Sequence, residues 1–185
     1  MLNVGRTEDA RPVVERLASK HPTDLSVRYL RALVLMNSGQ VEEAAATFED
    51  LARAGRSTPT LLSNLASCQM RLGRLHEGLA TLDRATEHLT PTPGMRNNRG
   101  LALKLLGRHD EARIEFARAI AEDPAYEPAR VNLISLLTLD RPDPPVARRE
   151  AEDFLRQFPR SPRALIVQGL LDSLRLREGG DVRKD

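Results

Sequence analysis

The chain has 185 residues, with 28 Lys and Arg against 26 Asp and Glu and a formal net charge of +2; only 3% of residues are aromatic and Trp is absent. So even a charge balance and so few rings exclude the basic stripe and base-stacking platform of a nucleic-acid binder. One cysteine, Cys68, rules out an internal disulfide and a cysteine-rich zinc site, and no apolar run reaches the roughly 20 residues of a membrane span. The start, through Val4 and Asp9, carries no apolar signal-peptide stretch. The expected setting is reducing and cytoplasmic. Arg supplies nearly all the positive charge, a usage similar to that of GC-rich bacterial proteins.

In chain order, the first feature is a glycine period. Gly5, Gly39, Gly73 and Gly107 stand 34 residues apart, and Arg141 falls where the next is due. A period of that length predicts a solenoid of stacked helical pairs. Small residues follow the glycines (Ala10, Ala44, Gly78, Ala112), then larger apolar ones (Val14, Phe48, Leu82, Phe116). Other small residues precede them (Ala32, Ala66, Gly100). These offsets are helical, so each unit reads as helix, glycine turn, helix, with short side chains where two helices approach closely. Prolines punctuate the units: Pro22 and Pro124 follow second helices, while Pro59 and Pro93 open first helices.

The predicted elements are a lone second helix over 8–20, pairs over 25–54, 59–89, 93–122 and 127–157, and a final helix over 161–177. Residues 178–185 are expected to fray. In this register Met1–Val4 form the last turn of a first helix, and helix 8–20 exposes an apolar flank including Val13, Val14 and Leu17. That flank is a candidate homo-oligomer contact.

The fourth pair departs from the period. Its turn, Leu139 to Pro145, lacks the glycine and carries one extra residue, since the small position falls at Ala147. Ile134 replaces a small residue, and Ala151 and Phe154 exchange the sizes found at Phe116 and Ala119. The exchange conserves core volume. The pair should therefore remain helical, at an altered packing angle, with Asp143 capping the second helix and Pro144 in its first turn.

Gly100, Leu103, Gly107, Ala112, Phe116, Ala119 and Pro124 together resemble the tetratricopeptide repeat pattern. The usual aromatic early in the first helix is missing, its places taken by Arg28, Leu62, Arg96 and Arg130. The resemblance implies an all-α, right-handed superhelical solenoid of helix-turn-helix repeats. A single array would span 1–177: a partial unit 1–24, repeats 25–58, 59–92 and 93–126, an irregular repeat 127–160 and a capping helix 161–177. A flexible tail, 178–185, would follow.

The resemblance also implies a non-catalytic adaptor with no cofactor. Its partner would be a protein or an extended peptide, held in a concave groove lined by first helices. Asn64, Asn98 and Asn132 match a ladder of amides that, in several members, pairs with peptide backbone; one planar amide offers an acceptor and two donors. Flanking groups expected to add selectivity are Asn97, Arg71 and Lys104, with apolar Tyr29, Leu33, Met36, Leu101 and Leu105. The clamp that some members close on chaperone tails is not expected, because Tyr29, Leu33, Thr60 and Ser63 occupy its places. Alternative readings are an assembly scaffold acting through its N-terminal end and a regulatory domain of a larger protein. His21, His76, His88 and His109 are scattered and predict no metal site, and Cys68 reads as a buried thiol.

Overall fold

A computed structural model describes residues 4–181. It divides between Pro91 and Thr92 into two compact units. The first unit contains α1 (Val4–Lys20), α2 (Leu25–Asn37), α3 (Val41–Arg53), α4 (Pro59–Arg71) and α5 (Leu75–His88). The second contains α6 (Pro93–Leu105), α7 (His109–Glu122), α8 (Glu127–Ser135), a π-helical turn (Leu136–Asp140), α9 (Pro144–Gln157) and α10 (Ala164–Asp181). All described elements are helical, in helix-turn-helix order.

The period has a backbone cause. Gly39, Gly73 and Gly107 sit at φ of 85°, 77° and 75°, a left-handed conformation open to glycine at no steric cost. After α4, the Arg74 N–H donates to the Gln69 carbonyl and the Gly73 N–H to the Met70 carbonyl, at 2.9 and 3.0 Å. This is the Schellman closure, which satisfies carbonyls a helix end leaves unpaired. Helix starts are equally local. Pro59 and Pro93 open α4 and α6, and the hydroxyls of Thr58 and Thr92 accept from the Leu61 and Met95 N–H groups, each at 3.2 Å. Asp24 caps α2 by accepting from Ser26 N–H at 2.7 Å.

Gly5 breaks the rule, for it lies inside α1 rather than in a turn. The predicted helix 8–20 therefore begins earlier, at Val4. Met1–Asn3, assigned above to the end of a preceding helix, lie outside the described residues. Of the expected apolar flank, Val13 is 66% exposed, whereas Val14 and Leu17 are partly buried. At the other end α10 continues to Asp181, into the segment expected to fray, and 182–185 lie outside the described residues.

Small residues do set helix approach. In the second unit an added Cβ at Gly100 would stand 2.7 Å from the Phe116 ring. At Gly78 in the first unit it would meet Met70 Cγ at 3.0 Å and the Ala66 carbonyl oxygen at 3.1 Å. Phe48 and Leu51 center the first unit's core, with Tyr29 edge-on to Phe48 at 5.8 Å between centroids.

The fourth pair explains its extra residue. Arg141 cannot adopt the left-handed glycine conformation cheaply, and its φ is −135°. Instead the helix widens by one residue per turn over Leu136–Asp140, and the Arg141 N–H donates five residues back to the Leu136 carbonyl at 2.8 Å. A π turn absorbs an insertion in this way. Ile134, Ala151 and Phe154 are fully buried with Val167 and Leu171, so the exchanged sizes share one core. Pro144 does open α9. Asp143 occupies the position before it, but its side chain makes no capping bond; the carboxylate stands 3.8 Å from Arg113.

Candidate functional site

The expected ligand-holding residues lie on first helices, and the structure ties most of them to a neighboring first helix. In the first unit the Asn64 amide, on α4, donates to the Tyr29 hydroxyl on α2 at 3.1 Å. Arg71, further toward the end of α4, donates to the Met36 carbonyl at 2.7 Å. In the second unit the Asn132 amide, on α8, donates to the Asn97 carbonyl oxygen on α6 at 2.8 Å. All three bonds join residues 35 apart, one repeat plus one position. Tyr29 and Asn97 thus hold the same repeat position and do the same work.

Each asparagine tie fixes an amide plane and occupies one donor. Among the described residues the side-chain oxygens of Asn64 and Asn132 have no partner, so each keeps an acceptor and one donor. Asn98 accepts from the Asn97 amide at 3.4 Å. Asn97 itself is only 6% exposed. The sequence places it among the flanking contacts; buried, it orients Asn98 and Asn132 instead. Burial raises the Tyr29 phenol pKa, with the Asn64 bond and Arg56 opposing, so Tyr29 stays a neutral acceptor near pH 7.

The other expected flanking groups divide. Lys104 Nζ is bonded to Ser135 Oγ and paired with Asp140, both at 3.0 Å, so its charge is committed to the π turn. Leu33, Met36 and Leu101 are partly buried, while Leu30 and Leu105 are 43% and 53% exposed. The first-helix faces are therefore mixed surfaces of oriented amides between leucines.

Cys68 is fully buried, and burial pushes its thiol up to about 11, Arg71 opposing. A thiol so placed is protonated and no nucleophile at neutral pH. Among the described residues no group of three His, Cys, Asp or Glu side chains could hold a metal ion, and no helix is long and apolar enough to cross a membrane.

The sequence reading missed a second set of positions on the same helices. Arg96 and Arg99 of α6 both reach Glu115 of α7, at 3.7 and 3.1 Å, and Arg118 joins them at 2.9 Å. Glu115 is 3% exposed, and Arg96 also pairs with Glu122. One repeat earlier the equivalent first-helix residues are Leu62 and Leu65. The signal was in the sequence, in the leucine standing among Arg28, Arg96 and Arg130.

Together, tandem helical pairs closed by left-handed glycines and joined through side chains one repeat apart define a helical-repeat interaction fold. Comparison with known proteins narrows the class. The family described as anaphase-promoting complex, cyclosome, subunit 3, matches residues 3–85, and the family described as tetratricopeptide repeat matches residues 63–127. No curated protein matches in sequence. Among solved structures, TTC0263, a thermophilic tetratricopeptide repeat protein of Thermus thermophilus, superposes with a TM-score of 0.80 at 23% identity, over 94% of this chain and 92% of its own. PilW, a type IV pilus biogenesis factor, gives 0.74 at 16% identity, over 97% and 87%. YrrB, described as having an unusual peptide-binding site, gives 0.63 at 22% identity, over 90% and 85%. The chain is a tetratricopeptide repeat protein. Its fold class is the all-α helical-repeat solenoid, and the fold is that of protein–protein interaction modules.

Proposed function

We propose that the chain is a non-catalytic adaptor whose first-helix faces hold an extended segment of a partner protein. In the first unit Asn64 would pair with main chain while Leu33 takes side chains; in the second Asn98 and Asn132 would pair with main chain while Leu101 and Leu105 take side chains. One observation carries the reading: Asn64 and Asn132 are each held by one donor while their amide oxygens stay open. Pre-oriented polar groups of this kind cost little to engage. The same reading is supported by the similar fold of a protein described as having a peptide-binding site. At about 1 kcal/mol net per contact, three amides contribute roughly a hundredfold in affinity.

The test compares the wild type with an Asn64→Ala/Asn98→Ala/Asn132→Ala variant in capture from lysate, read by mass spectrometry. A partner held by the wild type and released by a still-folded variant supports the reading. A partner held equally by both contradicts it.

A second reading is self-association through α1, favored by the 66% exposure of Val13. It requires a mass that rises with concentration in light scattering and a Val13→Glu variant that stays monomeric.

A further inference from the structure

The first unit carries a cavity of about 520 Å³ between α3 and α5, floored by α4. It differs from the equivalent hollow one repeat earlier in chemistry rather than size. Beside α2 a hollow of about 500 Å³ is lined by Arg28 and Arg31, which pair with Asp50 and Glu15 at 3.3 and 3.2 Å. Beside α6 the equivalent residues are Arg96 and Arg99, locked on Glu115. Only at α4 are the two positions leucines, Leu62 and Leu65, and Thr81 stands where Glu115 would be. Ala52, Ala85 and Leu89 complete the apolar lining.

Two polar features give this trough a preference. At its floor Gln69 is 6% exposed and accepts a hydrogen bond from Thr81 Oγ1 at 2.9 Å. That bond fixes the amide and leaves its N–H donors without a partner among the described residues. An oriented amide donor beside apolar walls suits a main-chain carbonyl. At the rim stand Arg53, Arg84 and His88 against one carboxylate, Glu49. Arg53 is paired with Glu49 and Asp50. Arg84 makes no ion pair among the described residues, so its charge is uncommitted. The α5 wall from Thr81 to His88 is about 10 Å long at 1.5 Å per residue, room for two or three residues of a chain.

We propose that this trough is a second docking site, for a short segment of a partner polypeptide with apolar side chains flanked by acids. The apolar side chains lie on Leu62, Leu65 and Leu89, a main-chain carbonyl accepts from Gln69, and an acidic side chain meets Arg84. The proposal rests on the family's protein-binding role and not on the amide faces, which belong to a different side of α4.

The test uses the full chain and a fluorescent acetyl-Asp-Leu-Leu-Phe-Asp-amide probe, followed by polarization and by NMR of the leucine methyls and the Gln69 side-chain amide. Saturable shifts at Leu62, Leu65 and Gln69 are expected. Arg84→Glu, or lysines in place of the probe's aspartates, should weaken binding about fivefold, the scale of a rim charge pair. Asn64→Ala should leave it unchanged, which separates this site from the amide faces. No shift at these groups up to millimolar probe overturns the proposal, as does equal affinity for the lysine probe. Decanoate binding the same methyls more tightly than the peptide also overturns it, in favor of a free alkyl carboxylate.

Discussion

The α4–α5 pair and the α6–α7 pair are built on one plan, yet they treat the same three positions oppositely. In α6–α7, Arg96 and Arg99 converge on Glu115, a carboxylate 3% exposed. In α4–α5, Leu62, Leu65 and Thr81 replace them and leave an apolar trough. Buried charge is tolerable only when paired, so Glu115 obliges its arginines to stay. The leucines and threonine impose no such obligation. The comparison teaches that a repeat can keep its backbone and core while one triad decides between an internal lock and a surface open to ligands.

The largest expected effect breaks the lock. Glu115→Ala removes the buried carboxylate on which three arginines converge and should cost about 3 kcal/mol in urea unfolding. Thr81→Ala, which loses one neutral hydrogen bond, should cost about 1 kcal/mol. Equal costs would mean the two triads are energetically alike. Next comes the glycine contact. Gly100→Ala drives a methyl to within 2.7 Å of the fully buried Phe116 ring, and overpacking there should cost about 2 kcal/mol. Gly78→Ala meets the movable Met70 side chain and a carbonyl. Its gain in helix propensity, about 1 kcal/mol, should offset most of that crowding.

A pH effect sharpens the picture of α4. The Cys68 pKa is raised to about 11 by burial, so folding favors the protonated thiol. The stability this contributes is complete below the ordinary thiol value and is lost as pH rises toward 11. Alkylation by iodoacetamide at pH 8 should accordingly be slow until the chain unfolds. Rapid labeling of the native chain would show that the thiol is exposed. The smallest effect is on Arg84→Glu, whose exposed side chain should change stability by less than about 0.5 kcal/mol while weakening trough binding.

Most of the fold was legible because its signals are local. Glycines at Schellman closures, prolines at first turns and alternating small and large core residues mark helix ends to within a few residues. Volume exchange between Ala151 and Phe154 could be read the same way. The failures share a cause. Gly5 has the period's spacing but no turn, since spacing alone does not say whether a helix runs on. The extra residue near Arg141 was visible, but its accommodation in a π turn, rather than a longer loop, depends on hydrogen bonds closing five residues back. Asp143 has the residue type of a cap, and its side chain instead lies toward Arg113. The amide positions were found by family pattern, whereas their ties to Tyr29 and Asn97 depend on side-chain reach across a repeat. Leu62 was noticed only as the absence of an aromatic, although its departure from Arg28, Arg96 and Arg130 was the mark of the trough.

The most direct test transplants the lock. A Leu62→Arg/Leu65→Arg/Thr81→Glu variant places the α6–α7 triad on α4–α5, and its binding of the acidic probe is measured beside its thermal unfolding. The account predicts a cooperative unfolding transition with probe binding abolished at the trough. A folded variant that binds the probe as the wild type does would contradict it.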